Sequence, residues 1–207
     1  MEQIIGFLPL IIILVFSIVL HEVSHGYMAY ALGDPTAKYA GRLTLNPIPH
    51  IDPIGSLLLP LSLILLGLRP FGWAKPVPIN PANLRGKYDE IKVSVVGPLS
   101  NIGLAVIFGL FLRFLPQTFA TPAFVEILGY IVVINLILGI FNLIPIPPLD
   151  GSHVLFSLLP DSLRNIKMFL AQYGFFILLF FIFFLSNAVI FPILSILFRL
   201  ITGFPIA

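Results

Sequence analysis

The chain has 207 residues, 58% of them hydrophobic and 10% charged, with a formal net charge of +2 and a mean hydropathy of +1.07. A soluble domain carries roughly a quarter charged residues to cover its surface, so the outer surface of this chain must face lipid. The absence of cysteine excludes disulfide frameworks, thiolate metal sites and cysteine nucleophiles, and so small a net charge does not point to a nucleic-acid partner.

Residues 4–20 form an apolar run that continues through His21. No basic segment precedes it and no small-x-small site follows, so it reads as a retained transmembrane helix rather than a cleaved leader. With this first span at roughly 4–31, further stretches long enough for about 30 Å of hydrocarbon lie at 91–115, 124–143, 167–185 and 187–204. Residues 54–68 are apolar but short for a span, with Pro60 inside, and are expected to form a re-entrant hairpin or short strands. The segments 34–53 and 69–90 are polar and rich in Pro and Gly, and read as loops at the membrane surface. The predicted fold is an all-α polytopic membrane protein of about five to six transmembrane helices, with a re-entrant segment after the first. It forms one membrane-embedded domain over 1–207, with a core at about 4–155 and C-terminal helices at about 167–204.

The basic residues set the expected orientation. Lys38, Arg42, Arg69, Lys75, Arg85, Lys87 and Lys92 lie between the first and second long helices, Arg164 and Lys167 between the third and fourth, and Arg199 near the end. If 54–68 does not cross, every basic residue except Arg113 falls on one side, which the positive-inside rule makes cytoplasmic. Five crossings then place the C-terminus in the cytoplasm.

The first span carries His21-Glu22-Val23-Ser24-His25. Histidines four apart share one helical face, so both rings can reach one metal ion, and the intervening Glu22 can hold a water and accept its proton. Burying these three ionisable groups in a membrane helix is costly without partners, which favours a functional site over a plain helix contact. A catalytic zinc commonly takes three protein ligands, and without cysteine the third must be His, Asp or Glu. Asp150 stands out, because Pro145, Pro147 and Pro148 interrupt the helix before it and non-helical backbone at membrane depth lines a cavity or is buried in protein. With 54–68 re-entrant, His21, His25 and Asp150 all lie toward the cytoplasmic half.

Three stretches together, His21–His25, Gly97-Pro98-Leu99-Ser100-Asn101 and the run from Asn142 to Leu149-Asp150-Gly151, resemble the site-2 protease family over roughly 15–155. Gly41–Ile79, with Phe71-Gly72-Trp73-Ala74-Lys75-Pro76-Val77, resembles its compact subgroup, and the chain has no room for a PDZ or CBS domain. The resemblance implies intramembrane proteolysis of transmembrane proteins or peptides by a Zn2+ enzyme. It implies His21, His25 and Asp150 as metal ligands, Glu22 as general base, and Asn142 as a group that binds substrate or stabilises the oxyanion.

The remaining candidates read as supporting residues. Asn101 is expected to pack, with a possible outer role beside the metal, and His153 either orients a ligand or faces solvent or substrate. His50 reads as interfacial and Trp73 as an interface anchor. The rival functions are a divalent-metal transporter using the same His/Asp site and an inactive scaffold, against which the intact Glu22 argues. An extended 54–80 segment pairing with an unwound substrate by strand addition is a further expectation.

Overall fold

The structure, a computed structural model, describes residues 2–67 and 72–206. Hydrocarbon offers no partner to a backbone N–H or C=O, so apolar segments close their hydrogen bonds internally as helices. The first helix, α1 (Glu2–Ala31), is followed by the single turn α2 (Thr36–Tyr39). A π-helical turn at Pro53–Leu58 then leads directly into α3 (Leu59–Leu65). Next come α4 (Asp89–Arg113), α5 (Pro122–Asn142), α6 (Asp150–Leu158), α7 (Arg164–Phe180) and α8 (Ser186–Thr202). No strand occurs among the described residues.

Among the described residues, four stretches are long and apolar enough to cross a membrane: Leu8–Ala31, Asp89–Arg113, Pro122–Asn142 and Arg164–Thr202. The multi-pass all-α architecture is as expected, with two local corrections. The hairpin or short strands expected at 54–68 are helical as far as Leu65, and Leu68 lies outside the described residues. Pro53 opens the run, where a missing N–H has no intrahelical partner to lose. Pro60 lies inside it, next to the π-helical turn, and the Gly55 carbonyl five residues back accepts from Trp73 N–H instead. The segment nevertheless turns back. Trp73 N–H donates to the Gly55 carbonyl (3.1 Å) and Lys75 N–H to the His50 carbonyl (2.9 Å), so its two ends lie side by side.

The second correction concerns the C-terminal part. The spans expected separately at 167–185 and 187–204 form one 39-residue helical run, Arg164–Thr202. Ser186 and Asn187 look like a turn, but the helix passes through them by way of a π-helical stretch, Phe181–Leu185. The Ser186 hydroxyl donates to the Ile182 carbonyl of its own helix (2.6 Å), while Asn187 is exposed on the helix surface.

Helix α4 is central and packs against α1, α5, α6 and α8. Ala105 of α4, Val132 and Leu136 of α5, and Leu194 and Phe198 of α8 form the buried core. Lipid-exposed Ile11, Phe16, Ile107, Phe111, Phe183 and Phe184 coat the outside. Arg113 at the end of α4 donates to the Leu200 carbonyl (3.0 Å), so α8 ends at the same end of the bundle as α4. The residues that follow α1 and precede α4 lie at the opposite end, where Asp34 accepts from Asn80 N–H and the Asn83 amide.

Candidate metal centre

On α1, 3.6 residues per turn bring His21 and His25 onto the face that α4 covers, and both are only 6% exposed. Their rings meet edge to face with centroids 4.7 Å apart, and their Nε2 atoms are 3.1 Å apart. Asp150 arrives from far along the sequence. Past Asn142 the proline-rich stretch cannot continue the helix, and Leu149 N–H closes a turn onto the Ile146 carbonyl. Asp150 is the first residue of α6, where the positive end of a helix favours a carboxylate. Its Oδ2 lies 3.0 Å from His21 Nε2 and 3.3 Å from His25 Nε2.

The outer ring nitrogens decide what the inner ones can do. His25 Nδ1 is 2.6 Å from the Val93 carbonyl, which can only accept, so Nδ1 carries the proton. His21 Nδ1 is 2.6 Å from Asn101 Oδ1. That orientation of the Asn101 amide follows from its other partners, since Nδ2 donates to the Ser17 carbonyl (3.1 Å) and to Asn135 Oδ1 (2.9 Å). Asn135 in turn donates to Ser17 Oγ and to the Ile131 carbonyl, each at 2.9 Å. Neutral His21 and His25 are therefore protonated on Nδ1, and both Nε2 lone pairs face a carboxylate oxygen.

Three acceptors converging without a proton repel one another unless a cation lies among them. Asp150 Oδ2 is buried and has no hydrogen-bond donor among the described residues. Tetrahedral zinc, with ligands at about 2.0–2.1 Å, holds them about 3.3 Å from each other, close to the three separations here. Gly97 completes the cradle, because a Cβ on it would sit 2.3 Å from His25 Nε2 and 2.8 Å from His21 Nε2. The donor set and the space both fit Zn2+.

Glu22, next to His21, is half-buried, and its Oε2 accepts from the Val77 backbone N–H at 2.8 Å. Asn101 is fully buried and, beyond packing, contacts a candidate ligand directly. The Asn142 side-chain amide donates to the Leu138 carbonyl of its own helix (3.0 Å). His153 is half-exposed, and its Nδ1 lies 3.5 Å from Glu90 Oε1 of α4. His50, expected at an interface, is buried, with Nε2 donating to the Thr44 carbonyl (3.0 Å). Ser17, Asn135 and the Val77 amide were not singled out from sequence. A lone Asn in the middle of the apolar α5 was the available signal for Asn135, and Ser17 stands one turn before His21.

The comparisons with known proteins agree with this chemistry. The sequence model of peptidase family M50 matches residues 115–185. YwhC of Bacillus subtilis, named as a zinc metalloprotease, is 37% identical over 195 residues, covering 90% of this chain and 85% of that protein. Rip2 of Mycolicibacterium smegmatis, similarly named, is 35% identical over 168 residues, covering 78% of this chain and 61% of its own length. The zinc metalloprotease MJ0392 of Methanocaldococcus jannaschii is 28% identical over 163 residues, 76% of this chain and 36% of that protein. No solved structure matches.

Proposed function

We propose an intramembrane role for this chain, which belongs to peptidase family M50, the site-2 proteases, and is a zinc metalloprotease. It hydrolyses peptide bonds within or near transmembrane segments of membrane-protein substrates. The observation that carries this reading is the buried convergence of His21, His25 and Asp150 between helices apolar enough to span a bilayer. A substrate reaching that cluster from the lipid must itself be membrane-embedded and locally unwound, because helical backbone hydrogen bonds shield its peptide bonds.

His21, His25 and Asp150 would hold the metal. When bound, Zn2+ polarises the scissile carbonyl and lowers the pKa of a water toward neutrality. Asn101 and the Val93 carbonyl keep the two imidazoles in the tautomer that leaves Nε2 free to coordinate. Glu22 accepts a proton from the attacking water as its oxygen adds to the carbonyl carbon, and returns it to the amide nitrogen as the C–N bond breaks. Asn142 keeps one amide hydrogen on the Leu138 carbonyl and has a second that would serve the developing oxyanion.

The basic loops put the cluster toward the cytoplasmic half of the bilayer. With Arg164–Thr202 crossing once, α8 ends at the other side with Arg113, so the C-terminus is read as extracytoplasmic, in place of the cytoplasmic position expected from five crossings. Residues 1–207 act as a single domain in this reading, supported by the packing of α8 into the core of α4 and α5.

The test is incubation of the purified protein with a panel of single-span peptides in lipid vesicles, with and without a zinc chelator. Chelator-sensitive cleavage inside an apolar segment is expected. Absence of any such cleavage would revive the metal-transporter reading, which family membership disfavours.

A further inference from the structure

The segment before α4 is anchored to the rest of the protein at successive backbone atoms. Trp73 N–H is held by the Gly55 carbonyl and Lys75 N–H by the His50 carbonyl. The Lys75 carbonyl accepts from buried Arg42 Nη2 at 2.7 Å, and Asn80 N–H donates to Asp34 Oδ2 at 2.7 Å. Between these anchors runs Pro76-Val77-Pro78. Neither proline has an N–H, and each disfavours helical backbone in the residue before it. Val77 therefore carries the one donor of this tripeptide, on backbone with little freedom to rotate. That donor goes to Glu22 Oε2 at 2.8 Å, while Oε1 makes no hydrogen bond among the described residues. The Val77 side chain, 5% exposed, lies against α1 at Gly26, where an added Cβ would come within 3.0 Å of its Cγ1.

A glutamate next to a metal cluster has three rotatable side-chain bonds, and a proton acceptor works only when its oxygen is held in reach of the water. We propose that the backbone N–H of Val77 is the positioning group of Glu22. By tying Oε2 to the proline-stiffened strap, it fixes the carboxylate and leaves Oε1 as the oxygen that takes the proton. Arg42 and His50 serve this arrangement indirectly, by pinning Lys75 one residue before Pro76. The same strap is joined to the re-entrant segment through Gly55, so the base is coupled mechanically to the part of the protein that turns back before α4.

This rests on Glu22 acting as the base, and the experiment separates the two ideas. The probe is an internally quenched single-span peptide that the wild-type protein cleaves in phosphatidylcholine vesicles. Val77→Pro removes the N–H within a backbone already shaped by prolines. A second variant replaces Val77 by its α-hydroxy acid analogue, turning the amide into an ester without adding a ring. Both are expected to keep wild-type zinc content and a KM within about twofold, while kcat falls roughly 10- to 100-fold, as for a misplaced reacting group. Val77→Ala keeps the N–H but loses the packing against Gly26. Its melting temperature should fall, while its kcat stays at least tenfold above that of Val77→Pro.

An unchanged or raised kcat in the two zinc-loaded variants without the N–H would overturn the proposal; a rise would mean that the contact restrains Glu22 instead. So would a Val77→Ala enzyme as slow as Val77→Pro, because side-chain packing would then be the cause. Glu22→Gln is measured in parallel. If it keeps zinc and still cleaves, the assignment of the base fails. If it keeps zinc and loses cleavage while the N–H-less variants do not slow, only the positioning role falls.

Discussion

Replacing Asn101 by alanine tests whether the buried amide network prepares the metal site or only joins helices. Asn101 is fully buried, so no solvent replaces its lost groups. The substitution removes the acceptor for His21 Nδ1–H and the donors to the Ser17 carbonyl and Asn135 Oδ1. Interhelical hydrogen bonds in membranes average about 0.6 kcal/mol each, so losing all three should cost the metal-free protein roughly 2 kcal/mol. The metal should feel more than that loss of stability. Freed from Asn101, the His21 ring can rotate or carry its proton on Nε2, the atom that faces Asp150. Losing such an orienting partner costs 10- to 100-fold in metal affinity, or about 1.4–2.7 kcal/mol. Competition against a chromophoric chelator in detergent measures the affinity, and thermal unfolding with chelator present measures the metal-free stability. Ser17→Ala, which removes a bond one step further from His21, should weaken zinc binding much less. If Asn101→Ala bound zinc within twofold of wild type while losing stability, the network would be helix packing alone and the tautomer argument would be wrong.

Gly97→Ala should abolish stoichiometric zinc binding, because the new Cβ falls 2.3 Å from His25 Nε2 and the helix backbone on both sides leaves little room to shift. Metal analysis of the purified variant checks this, and a normal zinc content would show that α1 and α4 can separate at no cost. Away from the spans, Asp34 gives a pH signature. Burial opposes its ionisation, but the Asn83 amide, the Thr36 hydroxyl and the backbone N–H groups of Asn80 and Thr36 outweigh it and hold the pKa below the usual carboxylate value. A lowered folded-state pKa contributes stability that is complete above the unfolded value of about 3.9 and is lost as pH falls toward the folded one. Unfolding midpoints measured from neutral to acidic pH should therefore drop below about pH 4, and Asp34→Asn should flatten that part of the profile while lowering stability at neutral pH. An identical acid limb in Asp34→Asn would assign the pH dependence to other carboxylates.

Much of the site was legible because its elements are local. The spacing of His21 and His25 places them on one helical face whatever surrounds the helix, and the apolar run over residues 4–31, with Glu22 as its one Asp, Glu, Lys or Arg, puts that helix in the bilayer. The prolines before Asp150 announce broken helix at membrane depth, and its missing cysteine alternatives narrow the third ligand further. What spacing could not supply was any contact between distant segments. His21 meets Asn101 across 80 positions, His25 meets Val93 across 68, and Glu22 meets Val77 across 55. The tautomers of both histidines and the restraint on Glu22 therefore exist only once α1, α4 and the strap are packed. The same division explains the two misread elements. Ser186-Asn187 and Pro60 are breakers by the habits of chains in water, where a freed backbone group finds solvent. In an apolar surrounding the chain keeps its helical bonds, so 164–202 runs through its polar pair and 53–65 coils instead of pairing as strands. Residue order by itself determined a buried His-Glu-x-x-His helix with an aspartate available to complete it. The tertiary structure decided which atoms of those side chains face inward, because that depends on where each outer nitrogen and oxygen finds its hydrogen-bond partner.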